Sequence, residues 1–299
     1  MSKKVLAIYY SQSGQLGEIV ENFTAPLVEA GAFVEYVRVR LVDEPNFPWT
    51  GDTFFSVMPN CQLDVPAELQ PFELKETEYD LVVLGYQAWF LSPSIPFNSL
   101  MQTPQLKAVL NNTPVITITG ARNMWLNAFV RVKKLINAAG AKLVGNVALV
   151  DKHPNPVSFV TIFHCMLQGK KDKYLNIFPL PGVADADIKN TKVFGESVLE
   201  HLNTNSWAGL QDKLDAQKAV VLNYNLMVIE GAAGKIFKVW ANIISKRKNK
   251  LPWIRAYKYY LLVAFFVGAP ILITLDGILF RFTSPKRIKA RKQYYLNLN

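Results

Sequence analysis

Residues 5–17 have the sequence Val5-Leu6-Ala7-Ile8-Tyr9-Tyr10-Ser11-Gln12-Ser13-Gly14-Gln15-Leu16-Gly17. The first six are apolar or aromatic, as in a buried strand, and the rest are mostly small or polar. Helical spacing begins at Glu18. This layout predicts a phosphate-binding turn, because the N–H groups and dipole of a helix start attract an anion and two serine hydroxyls can assist them. The alternative is a plain connection capped by Ser13.

Strand-like and helix-like segments alternate over the first half of the chain. Runs that are apolar throughout, such as Leu81-Val82-Val83-Leu84, indicate strands that are covered on both faces. The predicted strands are residues 4–10, 33–39, 80–86, 114–119 and 142–150, and the predicted helices between them are residues 16–30, 96–110 and 125–139. The pattern predicts an α/β fold with a five-stranded, doubly wound parallel sheet in residues 1–150.

Three predicted loops meet at one edge of this sheet, where doubly wound folds bind their ligands. They are the Ser/Gly turn, residues 87–94 after the third strand and residues 120–125 after the fourth. Trp89 and Trp125 lie in the last two loops, beside small residues. Core packing is the commoner role of a tryptophan, but the position just past a strand end favours a site at which an aromatic ring system stacks.

The turn resembles that of the flavodoxin-like family, in which Ser/Thr-x-Ser/Thr-Gly-x-Thr follows the first strand. Residues 11–16 match five of the six elements, and Leu16 departs from the pattern because it replaces a hydroxyl donor. The resemblance covers about residues 1–150 and implies that the turn holds the phosphate of FMN while the next two loops flank its isoalloxazine ring. The cofactor-binding residues that it implies are Ser11, Gln12, Ser13, Gly14, Gln15 and Leu16 at the phosphate, Gln87, Ala88, Trp89 and Phe90 beside the ring, and Thr119, Gly120, Ala121, Arg122 and Asn123 at its pyrimidine edge.

The whole chain is also similar to bacterial dialkylresorcinol-forming (condensing or aromatase) flavoproteins. The shared features are the turn at residues 9–16 and an apolar, basic tail. This resemblance implies an aromatase: a dialkylcyclohexanedione made by a partner ketosynthase loses two hydrogens and becomes a dialkylresorcinol. Two alternatives stay open, an NAD(P)H-dependent quinone reductase and a membrane-anchored flavodoxin-type electron carrier.

Oxidative aromatisation requires that a ring proton leave, and two residues are candidates for the base. His164 lies in a predicted helix over residues 159–167, and an imidazole titrates near neutral pH. Tyr86, at the end of the third strand, is the second candidate. The alternative for His164 is a hydrogen-bonded core histidine. Arg122 is either a solvated loop charge or a cation that stabilises a reduced flavin.

The net positive charge of the chain comes entirely from its C-terminal tail, residues 235–299. The net charge is +10, yet residues 1–234 hold 19 Lys and Arg against 22 Asp and Glu, whereas residues 235–299 hold 14 against Asp276. Lysines there alternate with apolar residues at helical spacing, which is typical of a helix on an anionic membrane surface. No groove-reading motif accompanies them, so we expect no nucleic-acid partner.

The tail also contains the longest apolar run, residues 259–280. As a helix it would extend about 33 Å, which is enough to cross a bilayer. Basic residues flank it on both sides, and the positive-inside tendency draws both flanks to the cytoplasm. Gly268 and Pro270 fall near its middle, where a helix can break. We therefore expect monotopic attachment at the cytoplasmic face of the inner membrane, with a single span and a buried helix at a dimer interface as alternatives.

The remaining segments complete a three-part organisation. Residues 151–230 are predicted to be a helical or irregular extension that covers the site, and residues 231–299 are predicted to attach to the membrane. The long segment 39–75 is expected to line a substrate mouth or to form a homodimer contact. Cys61 and Cys165 match neither a disulfide framework nor a zinc spacing, so we expect no metal and a reducing compartment.

Overall fold

A central parallel sheet organises the chain, which is described by a computed structural model over residues 2–281 and 285–298. Within these residues a main sheet of five strands forms, with a two-stranded hairpin beside it. The strands are β1 (Lys4–Tyr9), β2 (Phe33–Arg38), β3 (Leu81–Tyr86), β4 (Ala88–Trp89), β5 (Ser92–Pro93), β6 (Pro114–Ala121) and β7 (Lys142–Val150).

Helices cover both faces of the sheet and form the rest of the molecule. They are α1 (Gln15–Glu29), α2 (Gly51–Ser56), α3 (Met58–Gln62), α4 (Ile95–Leu100), α5 (Pro104–Leu110), α6 (Leu126–Ala138), α7 (Asn155–Gln168), α8 (Asp185–Thr204), α9 (Leu210–Ala216), α10 (Tyr224–Ser245), α11 (Leu251–Val263), α12 (Ala269–Asp276) and α13 (Pro285–Leu296). The single helix expected over residues 96–110 is two helices, because Thr103 caps a new helix that begins at Pro104.

The strand order of the main sheet is β2-β1-β3-β6-β7, and all neighbours are parallel. Counted among these five strands alone, the order is 2-1-3-4-5, which is the flavodoxin-like order. The structure therefore confirms the predicted α/β class and the doubly wound parallel sheet. The order reverses between β1 and β3, so the ligand crevice of such a sheet lies at the carboxyl ends of these strands.

Alternate residues of each strand enter two separate cores. Leu6 and Ile8 pack with α4, α5 and α6 on one face, whereas Val5 and Ala7 pack with α1, α8 and α9 on the other. At Gly195 of α8 a Cβ would overlap with the carbonyl oxygen of Phe23, so glycine is required where α8 crosses α1. The segment after residue 150 thus completes one face of the sheet.

The long apolar helix of the tail continues from Leu251 to Leu279 and has a mean hydropathy of 2.2 over its most apolar window, of which 6% is buried. By length and composition it is able to cross a membrane. The break expected at Gly268 and Pro270 is instead a π-helical turn at Ala264–Gly268, after which α12 continues the helix. A π-helical turn accommodates the hydrogen bond that is lost because proline has no backbone N–H.

After this helix the chain returns to the sheet. Tyr295 of α13 is buried in the core beside α6. The Lys133 ammonium donates to the Asn297 carbonyl at 2.8 Å, and Arg291 donates to the Met227 carbonyl at 3.1 Å. Residues 282–284 lie outside the described residues. The described residues on either side of the long helix therefore pack on the same body.

Candidate functional site

The turn after β1 has the geometry of an anion site. Gly14 precedes α1 with a φ of 90°, a left-handed conformation that favours glycine. The Ser11 hydroxyl oxygen accepts a hydrogen bond from the Gly17 N–H at 3.3 Å, and Arg38 donates to the Ser11 carbonyl at 2.6 Å. Ser11 is buried, whereas Ser13 is exposed. Ser11 therefore braces the turn, while Ser13 and the N–H groups at the start of α1 are positioned to meet a ligand.

Two other residues of the turn have roles that the sequence did not indicate. The Gln15 side chain bonds the backbone of Val183 twice, accepting from its N–H and donating to its carbonyl, each at 3.1 Å. Gln15 thereby ties the turn to the segment that precedes α8. The Leu16 side chain is 1% exposed and belongs to the core, so at this position only the main chain is left for a ligand.

A cavity of about 520 Å³ lies at the carboxyl edge of the sheet, within the range of small-molecule sites. Its lining from the sheet edge comprises Gln12, Ser13, Gln15, Leu16, Gln87, Ala88, Trp89, Phe90, Leu91, Gly120, Ala121, Arg122 and Met124. The three loops predicted from the sequence thus meet in one cavity.

Aromatic rings wall the cavity beside the β4–β5 hairpin. The Trp89 ring packs edge-on against Tyr10 at 5.8 Å and against Trp49 at 5.1 Å between ring centroids. Phe90 and Leu91, the two turn residues of the hairpin, have φ values of 49° and 63°. Residues other than glycine rarely adopt a positive φ, because it strains the backbone. Strained backbone of this kind is concentrated at functional sites.

Arg122 is held inside the cavity wall rather than in solvent. Its guanidinium donates to the Asn155 side-chain oxygen at 2.7 Å and lies 5.8 Å from the Phe159 ring and 5.6 Å from the Phe265 ring. Burial lowers the pKa of Arg122 to about 10, while the charges of Asp151 and Glu230 oppose this shift. Arg122 therefore remains a cation at neutral pH, and its cation–π contacts hold it between α7 and the tail helix.

Two buried polar atoms of cavity-lining residues have no hydrogen-bond partner among the described residues. They are the Gln12 Nε2 atom, which is a donor, and the Gln87 Oε1 atom, which is an acceptor. An unpaired buried polar group costs about 1–3 kcal/mol, so a ligand that offers both an acceptor and a donor stabilises this arrangement. Together with the start of α1 and the aromatic walls, these atoms give the cavity hydrogen-bond donors, an acceptor and flat apolar surfaces.

The two candidate bases, His164 and Tyr86, are not among the described residues that line the cavity. The His164 Nε2 atom lies 2.9 Å from Asp172, and its ring packs against Tyr174 on the opposite side of α7. Tyr86 is fully buried against Phe97. Burial raises the pKa of Tyr86 well above its usual value, and the charge of Glu230 adds to this shift, so its phenol stays protonated.

Five other residues that the sequence assigned to the site lie near it but outside its lining: Ser11, Gly14, Thr119, Asn123 and Trp125. Thr119 and Asn123 are buried, and each has a side-chain oxygen without a partner among the described residues. Trp125 is 2% exposed and packs on Phe129 in the core of the sheet. Trp125 thus packs in the core, whereas Trp89 lines the cavity.

Sequence reasoning missed most of the outer wall of the cavity. This wall comes from α2 and the residue Trp49 before it, from α7, from the segment before α8, from α10 and from the long helix. It consists of Trp49, Phe54, Phe159, Ile162, Phe163, Met166, Gly182, Ile229, Ala232, Ala233, Ile236, Phe237, Tyr260, Leu261, Ala264, Phe265, Gly268, Ala269 and Leu272. The length of segment 39–75 gave a signal for Trp49 and Phe54. The apolar tail gave a signal for the membrane but none for the cavity.

No carboxylate or imidazole is among the described residues that line the cavity. Among the residues that the structure describes, no three His, Cys, Asp or Glu side chains lie close enough to hold a metal ion. Cys61 and Cys165 are free and buried. The chemistry of the site therefore comes from main-chain donors, amides, aromatic rings and one guanidinium.

Strand order and site position define a flavodoxin-like α/β protein. No family model matches the sequence, and no curated protein matches it. Solved structures similar in fold include a flavoprotein from Lactobacillus acidophilus in complex with FMN (19% identity, 49% of this chain and 93% of that chain, TM-score 0.41) and the oxidised flavodoxin 1 of Bacillus cereus (15% identity, 67% and 99%, TM-score 0.36). A flavone reductase is also similar (11% identity, 67% and 63%, TM-score 0.37). These scores are below 0.5, so the fold assignment rests on the sheet topology.

Proposed function

We propose that this chain is an FMN-dependent oxidoreductase that acts on a lipidic cyclic ketone at the cytoplasmic face of the inner membrane. The observation that carries the proposal is the cavity of about 520 Å³. It joins an anion-binding turn to helices that are apolar both inside and outside. One site therefore combines features suited to a phosphorylated cofactor with features suited to a water-insoluble substrate.

The residues of the sheet edge fit FMN. The start of α1 and Ser13 suit its phosphate, and the rings of Trp89 and Phe90 suit an isoalloxazine ring. The unpaired atoms of Gln12 and Gln87 offer a donor and an acceptor to the polar groups of such a ring. Arg122 adds a fixed positive charge. When bound there, FMN supplies an acceptor for an electron pair.

The reaction that we propose is the oxidative aromatisation of a dialkylcyclohexanedione to a dialkylresorcinol. The ring loses two hydrogens in all, one as a proton and the other with its electron pair, for which bound FMN would be the acceptor. Protons next to the carbonyls of a 1,3-dione are acidic, so water suffices to take this proton in a cavity whose described lining contains no carboxylate or imidazole. Arg122 would bind the ring oxygen on which negative charge develops.

Attachment to an anionic membrane surface is part of the proposal. Lys235 and Lys238 on α10 are exposed, and so are the basic residues that precede α11. Because the long helix lines the cavity and Tyr295 beyond it returns to the core, attachment in the plane of one leaflet fits better than a straight crossing. We also propose a ketosynthase partner and a homodimer, although the structure describes no contact with a second chain.

The test is a visible spectrum of the protein purified with its lipids, followed by anaerobic titration. We expect a yellow protein whose flavin absorbance is bleached by a 2,5-dialkylcyclohexane-1,3-dione in the absence of any nucleotide. A preparation that stays colourless after reconstitution with FMN contradicts the proposal.

The alternatives give different results in the same titration. Bleaching by NAD(P)H alone, with no response to the dione, identifies a quinone reductase. Stable one-electron reduction without turnover of either compound identifies an electron carrier. The helices α7, α10 and the long helix, which cover the cavity, argue against an electron carrier. Single-electron exchange with a partner protein requires a flavin ring that the partner can approach.

A further inference from the structure

The long tail helix has two apolar faces with different surroundings. Leu261, Ala264, Phe265, Gly268 and Leu272 recur at helical spacing and line the cavity. The opposite face is exposed, as shown by Val263, Val267 and Ile271, whose exposed fractions are 62%, 53% and 54%. The helix therefore separates the inside of the site from the surrounding medium by a single layer of residues.

The inner face is lined by small residues where it meets α10. Ala232 and Ala233 of α10 border the cavity, as do Ala264, Gly268 and Ala269 of the long helix. A Cβ built on Gly268 meets no heavy atom within 4 Å. The two helices thus leave space between them where larger side chains would pack, and the π turn at Ala264–Gly268 lies beside this space.

Polarity changes along the cavity. The sheet edge carries the anion site and the two unpaired amide atoms, whereas the part between α10 and the long helix is lined by aliphatic and aromatic side chains. Arg122 marks the junction, because its guanidinium lies 5.6 Å from the Phe265 ring. A ligand that fits both parts has a polar ring at Arg122 and an unbranched apolar chain beyond Phe265.

From this geometry we infer that the space between α10 and the long helix is a binding site for one alkyl chain of the ring substrate. We call it the alkyl slot and define it by Ala232, Ala233, Ala264, Gly268 and Leu272. The inference rests on the proposed function, since the flavin site fixes the position of the ring. The slot would accept an unbranched chain that reaches the site from the lipid phase, as part of a resorcinol or dione.

Each methylene buried in the slot is expected to strengthen binding about fourfold. A leucine at position 268 would occupy the space of several methylenes without a backbone clash, because glycine there has helical φ and no neighbour within 4 Å. Gly277 provides a matched control. It lies in the same long helix, a Cβ there also meets no atom within 4 Å, and it does not line the cavity.

The experiment compares the wild type, Gly268→Leu and Gly277→Leu, each loaded with FMN in the same phosphatidylethanolamine and phosphatidylglycerol nanodiscs. Binding of 5-methyl-, 5-pentyl- and 5-nonylresorcinol is followed by the change in flavin absorbance. We expect Gly268→Leu to weaken binding of the pentyl and nonyl compounds at least about tenfold and to leave the methyl compound unchanged. Gly277→Leu should match the wild type for all three compounds. Partition into lipid cancels, because the variants share one membrane.

If Gly268→Leu loses affinity equally for all three compounds, or for none of them, the alkyl slot is overturned. FMN binding in the same samples would still support the proposed function. If no variant binds FMN, the proposed function fails, and photolabelling tests the slot alone. A resorcinol with a diazirine at the end of its chain is expected to label Ala232, Ala264 or Gly268. Labels confined to Val263, Val267 and Ile271, or an identical pattern from a diazirine phospholipid, contradict the inference.

Discussion

The strands of the sheet and the long tail helix are both rich in apolar residues, but only the strands hide them. Val5, Leu6, Ala7 and Ile8 of β1 are 0% exposed, because helices of the same chain cover both faces of the sheet. In the long helix only 6% of the most apolar window is buried. The sheet completes its own core, whereas the helix covers a cavity on one side and exposes apolar residues on the other.

The two regions meet through α10. The buried Glu230 carboxylate accepts hydrogen bonds from the N–H groups of Leu126 at 3.3 Å and Asn127 at 3.0 Å, which lie at the start of α6. The Asn127 side chain in turn donates to the Glu230 carbonyl at 2.7 Å. A polar contact thus joins the rigid sheet to the helices that cover the site, and the comparison can be tested from either side of it.

The largest effect is expected on the sheet side. Ser13→Asp places a carboxylate beside the phosphate of FMN, and two charges about 4 Å apart near a surface repel by about 4 kcal/mol. We expect a loss of roughly 1000-fold in FMN affinity, measured by fluorescence titration of the apoprotein. Ser13→Ala is the control and should lose less than tenfold, since it removes one hydrogen bond only. Equal affinities for both variants would exclude the turn as the phosphate site.

The second prediction concerns the contact between the regions. Burial raises the pKa of Glu230 to about 7 from an ordinary 4.5, although N–H bonds from the start of α6 and the charge of Arg122 favour its ionised form. The folded state therefore holds this proton more tightly than the unfolded chain. The resulting stabilisation, about 3 kcal/mol, is complete below pH 4.5 and is lost as the pH rises to 7.

The measurement is the Tm of the wild type and of Glu230→Gln between pH 4.5 and 7.5. The amide stays neutral, so we expect the wild-type Tm to fall by several degrees relative to that of the variant over this range. Parallel curves for the two proteins would show that the carboxylate is ionised in the folded state throughout.

The third prediction compares the effect on membrane binding of a lysine at an exposed apolar position in each of the two regions. Val267→Lys puts a charge on the outer face of the long helix and is expected to weaken binding to anionic liposomes by about 2 kcal/mol, or roughly 30-fold. Val28→Lys is the matched control, because Val28 on α1 is exposed to a similar extent, 47% against 53%. Co-sedimentation with phosphatidylglycerol liposomes measures both. If the two variants bind alike, the outer face of the long helix does not contact lipid.

The smallest effect is expected where the turn is tied to the segment before α8. Gln15→Ala removes both hydrogen bonds to Val183, at a cost of about 1 kcal/mol. Hydrogen exchange at residues 182–188 should become about fivefold faster. The control is Gln105→Ala, which changes an exposed residue of α5. Unchanged exchange in Gln15→Ala would show that other contacts hold this segment.

The sequence is informative about position where contiguous residues carry the signal and uninformative where the rotation of a helix decides. The turn at residues 11–16 and the loops at Trp89 and Arg122 were placed at one edge, because strand ends in a parallel sheet are fixed by topology. In α7 apolar residues occur on all sides of the helix, so the sequence does not tell which side faces the cavity. Phe159 and Phe163 face it, and His164 does not.

The sequence by itself determined the strands of the main sheet, the turn that joins β1 to α1, the basic charge of the tail and an apolar helix long enough for a membrane, since each depends on local spacing or composition. Only the tertiary structure decided that Trp49, Phe159 and Phe265 line one cavity and that Trp125 packs in the core. It also decided that the long helix lines this cavity with one face and exposes the other. The physical reason is that contacts between residues more than a hundred positions apart follow from how whole helices pack, which no local pattern encodes.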